Sequence, residues 1–315
     1  MQLKNPPFRC LLSALLLFAC SGACQAAQIS EYRVIRKAVC DQQGRSRIAI
    51  RSFNSDRVAQ LLVVDPVTLA SSEIPASSLE VPCPPDAAPP GATPFQRALD
   101  RYDGAPYRLQ NGGATRAETP VEGLFLTVDL CPSKRPFERE LFEAAGALGK
   151  DAPVPVAVAV TGVWLAQHPE ELSYLKRETA AGRLAITWVN HSYHHPYDPG
   201  VPLEKNFLLK PGTDMTAEVL DLEKQLLVRG LVPSPFFRFP GLVSDQATMS
   251  RLHDLSLIPI GSDAWLAKGE SPRKGSFILV HGNGNEPKGV KLLLPMLKSK
   301  ELRLLPLPLA FTGTR

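Results

Sequence analysis

The chain has 315 residues, 44% of them apolar and 21% charged, a composition ordinary for a globular protein of one large or two unequal domains. Its formal net charge is +4; without the first 27 residues, which hold Lys4 and Arg9 but no acid, 33 bases face 31 acids. That near-balance gives no electrostatic case for nucleic acid or an anionic membrane surface as a partner.

Residues 1–27 read as a signal peptide. Two cations precede the apolar run Leu11–Ala19, which is too short to span a bilayer, and Cys24-Gln25-Ala26 resembles a signal-peptidase site. Leu17-Phe18-Ala19-Cys20 also resembles a lipoprotein box, so a lipid anchor through Cys20 is the alternative to a free periplasmic or secreted protein. No later apolar run approaches 18 uninterrupted residues, and no transmembrane span is expected once the signal is removed. Three of the six cysteines fall in this leader. Of the rest, Cys40 and Cys83 are either a disulfide of an oxidising compartment or two buried thiols, and Cys131 is left over.

Residues 28–85 form the next unit, a small β-rich module. Arg33–Arg36, Arg47–Arg51 and Leu61–Val64 are short apolar or alternating runs separated by Gly44, Asn54 and Pro66. The Pro-rich stretch from Pro82 to Gly91 has linker composition, and a linker is expected over 86–120 with a short helix near Phe95–Tyr102.

From residue 121 to 315 strands and helices alternate. Strands are expected at Gly123–Val128, Val154–Val160, Leu184–Val189, Phe236–Phe239, Leu257–Ile260, Phe277–Val280 and Leu304–Leu307. Helices are expected at Phe137–Leu148, at Pro169–Arg183 with a stop at Gly182, and at Thr216–Arg229 before Gly230. Such alternation argues for a parallel sheet covered by helices, and this many units suggest an α/β barrel, with an open doubly wound sheet as the alternative the pattern leaves open. No glycine-rich phosphate loop follows the first strand, which weakens any nucleotide-binding reading.

The polar residues cluster at strand ends. Asp129 follows the first strand of the barrel, His191–His195 the third, Arg238 the fourth, Asp263 the fifth and His281 the sixth. In a parallel α/β barrel those C-terminal ends form one mouth, so side chains far apart in sequence converge there. His191-Ser192-Tyr193-His194-His195-Pro196 is the strongest local signal: imidazoles at i and i+4 can reach one cation, and neutral imidazole suits zinc and other first-row metals. His194 is expected to face solvent or support its neighbours. Arg238 beside Asp129 would keep that carboxylate ionised.

These motifs together resemble the NodB-homology polysaccharide deacetylases of carbohydrate esterase family four. Thr127-Val128-Asp129-Leu130-Cys131-Pro132 resembles the family's Thr-Phe-Asp-Asp-Gly-Pro. His191–His195 matches His-Ser/Thr-x-x-His, Arg238-Phe239-Pro240-Gly241 is similar to Arg-x-Pro plus an aromatic, and Leu279-Val280-His281 matches Leu-x-His. The resemblance spans residues 121–315 and does not reach the module.

The resemblance implies a distorted (β/α) barrel of about seven strands and a metal-dependent hydrolase of non-peptide carbon–nitrogen bonds. Its substrate would be an N- or O-acetylated polysaccharide such as a GlcNAc-containing glycan. By position, Asp129 resembles the catalytic base, Arg238 the residue orienting it, His281 the general acid, and His191 and His195 the ligands of a divalent metal, zinc by ligand type. Trp265, Leu279 and Pro240 would line the substrate pocket, and Asp263 would pair with His281. The sequence departs from the family at Leu130, where the third metal ligand is normally an aspartate. Either Asp129 turns onto the metal or Cys131 supplies a thiolate, or binding is weak or lost; the alternative function is therefore an exported, catalytically degenerate carbohydrate-binding or regulatory barrel.

Overall fold

The computed structural model describes residues 27–41, 43–79, 93–299 and 301–313. Residues 1–26 of the expected signal peptide, Cys83 and residues 86–92 lie outside them; Cys40 is disulfide-bonded.

Strands β1 (Ile29–Cys40), β2 (Ser46–Ser55), β3 (Val58–Val64) and β4 (Ser71–Pro75) form an antiparallel sheet in chain order. The β2–β3 turn is made by Asp56 and Arg57, both at positive φ (48° and 70°). This is the twist-matched two-residue hairpin geometry, usually signalled by Asn-Gly. β4 was not legible in the sequence, because Ser-Ser-Glu-Ile-Pro is a polar edge strand with one half-buried apolar residue.

Helix α1 (Pro94–Tyr102) starts where Thr93 Oγ1 accepts the amide of Gln96 at 3.3 Å and Pro94 supplies a pre-set φ. It buries Phe95, Ala98 and Leu99, so the described part of the expected linker is not a tether.

The remaining elements are β5 (Phe125–Leu130), α2 (Arg139–Gly146), β6 (Val154–Val160), α3 (Gly162–Gln167), α4 (Pro169–Ala180), β7 (Leu184–Asn190), α5 (Met215–Val228), β8 (Phe236–Phe237), α6 (Gln246–Asp254), β9 (Ile258–Pro259), β10 (Ala264–Trp265), β11 (Phe277–His281), α7 (Pro287–Lys298) and α8 (Leu309–Thr312). Seven strands form a parallel sheet in the order β10-β11-β5-β6-β7-β8-β9, the expected distorted barrel. Its edge strands β9 and β10 do not pair with each other; residues 110–117 fill the seam. Ala114 bridges Ile260, Arg116 bridges Ser276, and the Asn111 side chain bonds both the amide and the carbonyl of Ser262. The expected strand at Leu304–Leu307 reduces to one bridge, Leu304 to Leu124, because Pro306 and Pro308 turn the chain into α8.

The pleat sorts side chains between two cores. In β5, Leu126, Val128 and Leu130 join the layer under the helices with Leu141 and Phe142, while Phe125 faces the interior. In β6 the valines face outward to the helices, and the small Ala157 and Ala159 face inward.

The module closes the end of the barrel opposite the mouth. Ile48, Ile50, Phe53, Leu62 and Val64 share a core with Phe125, Phe236, Ile258 and Phe277 at the beginnings of strands. Within that contact lies a fully buried ion pair, Arg51 with Glu223 of α5 (2.7 and 2.8 Å), to which Tyr32 Oη also donates (2.8 Å) and which Arg51 extends to Leu255 O (2.8 Å). Removing one partner strands the other, so Glu223→Gln should cost about 3 kcal/mol in denaturant unfolding, whereas the double change Arg51→Met with Glu223→Leu should recover much of it. A single change costing under ~0.5 kcal/mol would show that the pair is not closed to water.

Asp103 caps the end of α1, and both its carboxylate oxygens are buried without a hydrogen-bond partner. Burial pushes its pKa up to about 9, with Arg36 opposing and Asp100 adding. The folded chain thus keeps a proton that the unfolded chain releases above its ordinary value of 3.8, and this contribution to stability falls as pH rises from there toward about 9. Asp103→Asn should therefore raise the melting temperature at pH 8 and change it little at pH 3.5; parallel pH profiles for the two proteins would refute the assignment.

Candidate active site

The same pleat that buries Leu130 under the helices points Asp129 inward, and the next inward residue is Cys131. On β11 it points Leu279 and His281 to the mouth while Ile278 and Val280 face the helices. On β7, Val189 faces in, and His191 follows on the same side. The outcome is a cleft of about 900 Å³ at the C-terminal strand ends, lined by Asp129, Cys131, His191, His195, Trp265, Leu279 and His281 among others.

Local backbone geometry places the histidines. Ser192 and His195 both adopt positive φ (65° and 51°), conformations that a non-glycine residue holds only when its surroundings fix them. Here Ser192 Oγ accepts the His195 amide at 3.1 Å, and Asn190 Oδ1 accepts the Ser192 amide at 3.0 Å. Phe207 presses edge-on against the His195 ring, and Gly241 admits it, since any Cβ there would collide with the phenyl ring.

Arg238 organises the floor. Its Nη1 donates to Asp129 Oδ1 at 2.8 Å and its Nη2 to Gly261 O at 3.0 Å, all fully buried. Burial would raise the Asp129 pKa, but Arg238, His191 and His281 outweigh it and hold the carboxylate below its usual range. The backbone carbonyl of Arg238 accepts His191 Nδ1–H at 2.8 Å. That fixes the tautomer and leaves Nε2 as a lone-pair donor aimed at Cys131 Sγ (3.5 Å) and Asp129 Oδ2 (3.8 Å). Burial keeps the His191 pKa below its ordinary value, against the opposing pull of Asp129 and of the Arg238 carbonyl.

Cys131 Sγ and one nitrogen each of His191 and His195 lie within 4.8 Å of one another, and among the described residues this is the one such cluster. One sulfur and two imidazole nitrogens are a donor set that suits zinc and leaves a fourth position open. Burial alone would raise the Cys131 thiol, but the facing His195 and His281 bring it down to about 7. The residues present therefore fit a divalent cation.

His281 does not meet Asp263. That aspartate sits behind the cleft, 4.0 Å from Arg116 and 3.8 Å from Arg273, with both oxygens buried and unpartnered by hydrogen bonds. The acid facing His281 is Glu286, which lies 2.9 Å from His281 Nδ1 and accepts Trp265 Nε1–H at 2.7 Å through the same oxygen. Burial works against an imidazolium, yet Cys131, Glu286 and Asp129 together carry the His281 pKa well above its ordinary value. Glu286 follows a Gly/Asn loop and has no motif spacing, so only its closeness in sequence to His281 hinted at it.

Of the expected pocket residues, Trp265 and Leu279 line the cleft and Pro240 does not: Pro240 opens a buried turn, and Gly241 and Leu242 form the wall there. His194 is turned away from the cluster; its backbone and Nδ1 both bond Glu218 (2.8 and 2.7 Å), and its side chain is mostly exposed.

The module, residues 30–84, matches a family model described as the RP012 protein N-terminal domain. Several solved structures are similar to the chain. They include a family 4 carbohydrate esterase from Bacillus anthracis (19% identity, 62% of this chain and 86% of that one, TM-score 0.45). A chitin deacetylase from the fungal pathogen Colletotrichum lindemuthianum matches at 17% identity, 64% and 91% coverage and TM-score 0.46. A CE4 family pseudoenzyme from Bacillus anthracis matches at 14%, 65% and 69%, and 0.40.

Removing the Glu286 carboxylate should destabilise the His281 imidazolium. In the metal-free protein, Glu286→Gln should lower the His281 titration midpoint followed by NMR of the ring protons, and an unchanged midpoint would show that Glu286 does not hold that charge.

Proposed function

We propose that this protein is an exported metal-dependent hydrolase that removes acetyl groups from a polysaccharide. The observation carrying this reading is the convergence of the Asp129 carboxylate, the His281 imidazole and a sulfur–nitrogen–nitrogen donor set on one cleft.

His191, His195 and Cys131 would hold the cation, which when bound polarises an acetyl carbonyl and acidifies a water molecule. Asp129, kept ionised by Arg238, accepts the proton of the attacking water. His281, oriented by Glu286, faces it and donates a proton to the departing sugar nitrogen or oxygen. Leu279 and Trp265 line the cleft beside these groups and would receive the acetyl methyl. Because one group must be ionised and the other protonated, the rate should pass through a maximum with pH.

Acetate release from chitin oligomers and peptidoglycan fragments, with metals added to the stripped mature protein, tests this. Release should require metal and fall by about 10²–10⁴ in Asp129→Asn and in His281→Ala. Cobalt(II) loading should give a near-ultraviolet thiolate-to-cobalt charge-transfer band that Cys131→Ser abolishes. A metal-binding protein that releases no acetate from any acetylated glycan would overturn the hydrolase reading; a cobalt spectrum without the sulfur band would overturn the third ligand.

A further inference from the structure

One wall of the cleft is a zipped pair of loops. Asn283 Nδ2 donates to Cys131 O at 2.7 Å, and Arg135 Nη1 donates to Gly284 O and Asn285 O at 3.1 and 3.2 Å. Gly284 has φ +72°, and a Cβ on it would come within 2.8 Å of Arg135 Cβ and 2.9 Å of Pro136 O. The close seating of the two loops therefore depends on that glycine.

The zipper leaves a guanidinium presented on the wall. Arg135 lines the cleft and is exposed, anchored through Nη1 alone; its Nε and Nη2 donors make no hydrogen bond among the described residues. Lys134, next to it, also lines the cleft and is exposed. The carboxylates of the cleft already have partners: Asp129 has Arg238 and Glu286 has His281. Neither Lys134 nor Arg135 enters an ion pair among the described residues. The Nε/Nη2 edge is the face that takes a carboxylate bidentately, and the anchored Nη1 removes part of the ordering cost.

Resting on the deacetylase reading, we propose that the glycan carries a carboxylate on a sugar adjoining the acetylated one, bound by Arg135 with Lys134 beside it. The substrate class is thus an acidic acetylated polysaccharide rather than a neutral one. A charge-assisted bidentate contact at a partly open wall is worth about tenfold in affinity, and screening should reduce it.

Calorimetric titration of the zinc-loaded mature protein tests this with two tetrasaccharides, one alternating glucuronate with N-acetylglucosamine and one identical but with its carboxyls reduced to alcohols. At low salt the acidic form should bind about tenfold more tightly, and the advantage should shrink at high salt. It should vanish in Arg135→Gln, which keeps a donor for the loop and should keep the melting temperature. Equal affinity for the two forms, failure to bind either, or a preference surviving in Arg135→Gln would overturn the proposal. Displacement by inorganic phosphate at matching concentration would replace the carboxylate with a general anion site and overturn it as well. Acetate release from the same oligosaccharides reads separately: carboxylate preference without turnover would remove the hydrolase and leave the binding site standing.

Discussion

The chemistry of the cleft depends on one residue acting through two different groups. The side chain of Arg238 neutralises Asp129, and its backbone carbonyl fixes the tautomer of His191. A carboxylate this deeply buried would otherwise take up a proton, and an imidazole free to turn would present either nitrogen. Asp129 and the donor set are therefore coupled through a single residue, Arg238, which directly follows the two-residue strand β8. Arg238 is itself held by Gly261 O just beyond β9, so the seam-filling segment that bonds Gly261 through Ala114 supports the site from outside. The open edge of the barrel and the floor of the cleft are thus one hydrogen-bonded structure.

Strand parity explains how a site can tolerate leucine where a ligand is expected. At the end of β5 consecutive side chains face opposite sides, and Leu130 goes to the helix layer with Val128. Cys131, one step on, returns to the side of Asp129 and comes within 3.5 Å of His191. A thiolate there would supply the negative charge that Leu130 withholds, with a softer atom. Such an exchange would change the metals the site prefers more than the number of ligands it offers.

Much of this was legible in the sequence where an element was long and chemically uniform. β5, β6, β7 and β11 are runs of five to seven mostly apolar residues, and their ends announced Asp129, His191 and His281 directly. Short elements were less visible: β10 is two residues, Ala264 and Trp265, with no period to read, and α3 begins at a glycine and lasts under two turns. Asp263 was misplaced because one position along an irregular connection decides whether a side chain faces the mouth or the seam. The loop from Gly282 carries Glu286 back toward His281 through a left-handed glycine, a path set by packing against Arg135 that no local pattern encodes. The positive φ of Ser192 and His195 is equally silent in sequence, since both residues usually avoid it.

Glu286 gains importance when the whole charge balance of the cleft is considered. Without a cation, three anionic groups, Cys131, Glu286 and Asp129, favour the His281 imidazolium against the cost of burial. A cation coordinated by Cys131 would take up the thiolate's charge and add its own, so that contribution reverses sign. Asp129 is already largely neutralised by Arg238 at 2.8 Å. The carboxylate that remains to keep His281 protonated is then Glu286, 2.9 Å away and itself positioned by the Trp265 indole. Glu286 is not among the clustered donors, so it can do this without competing for the metal.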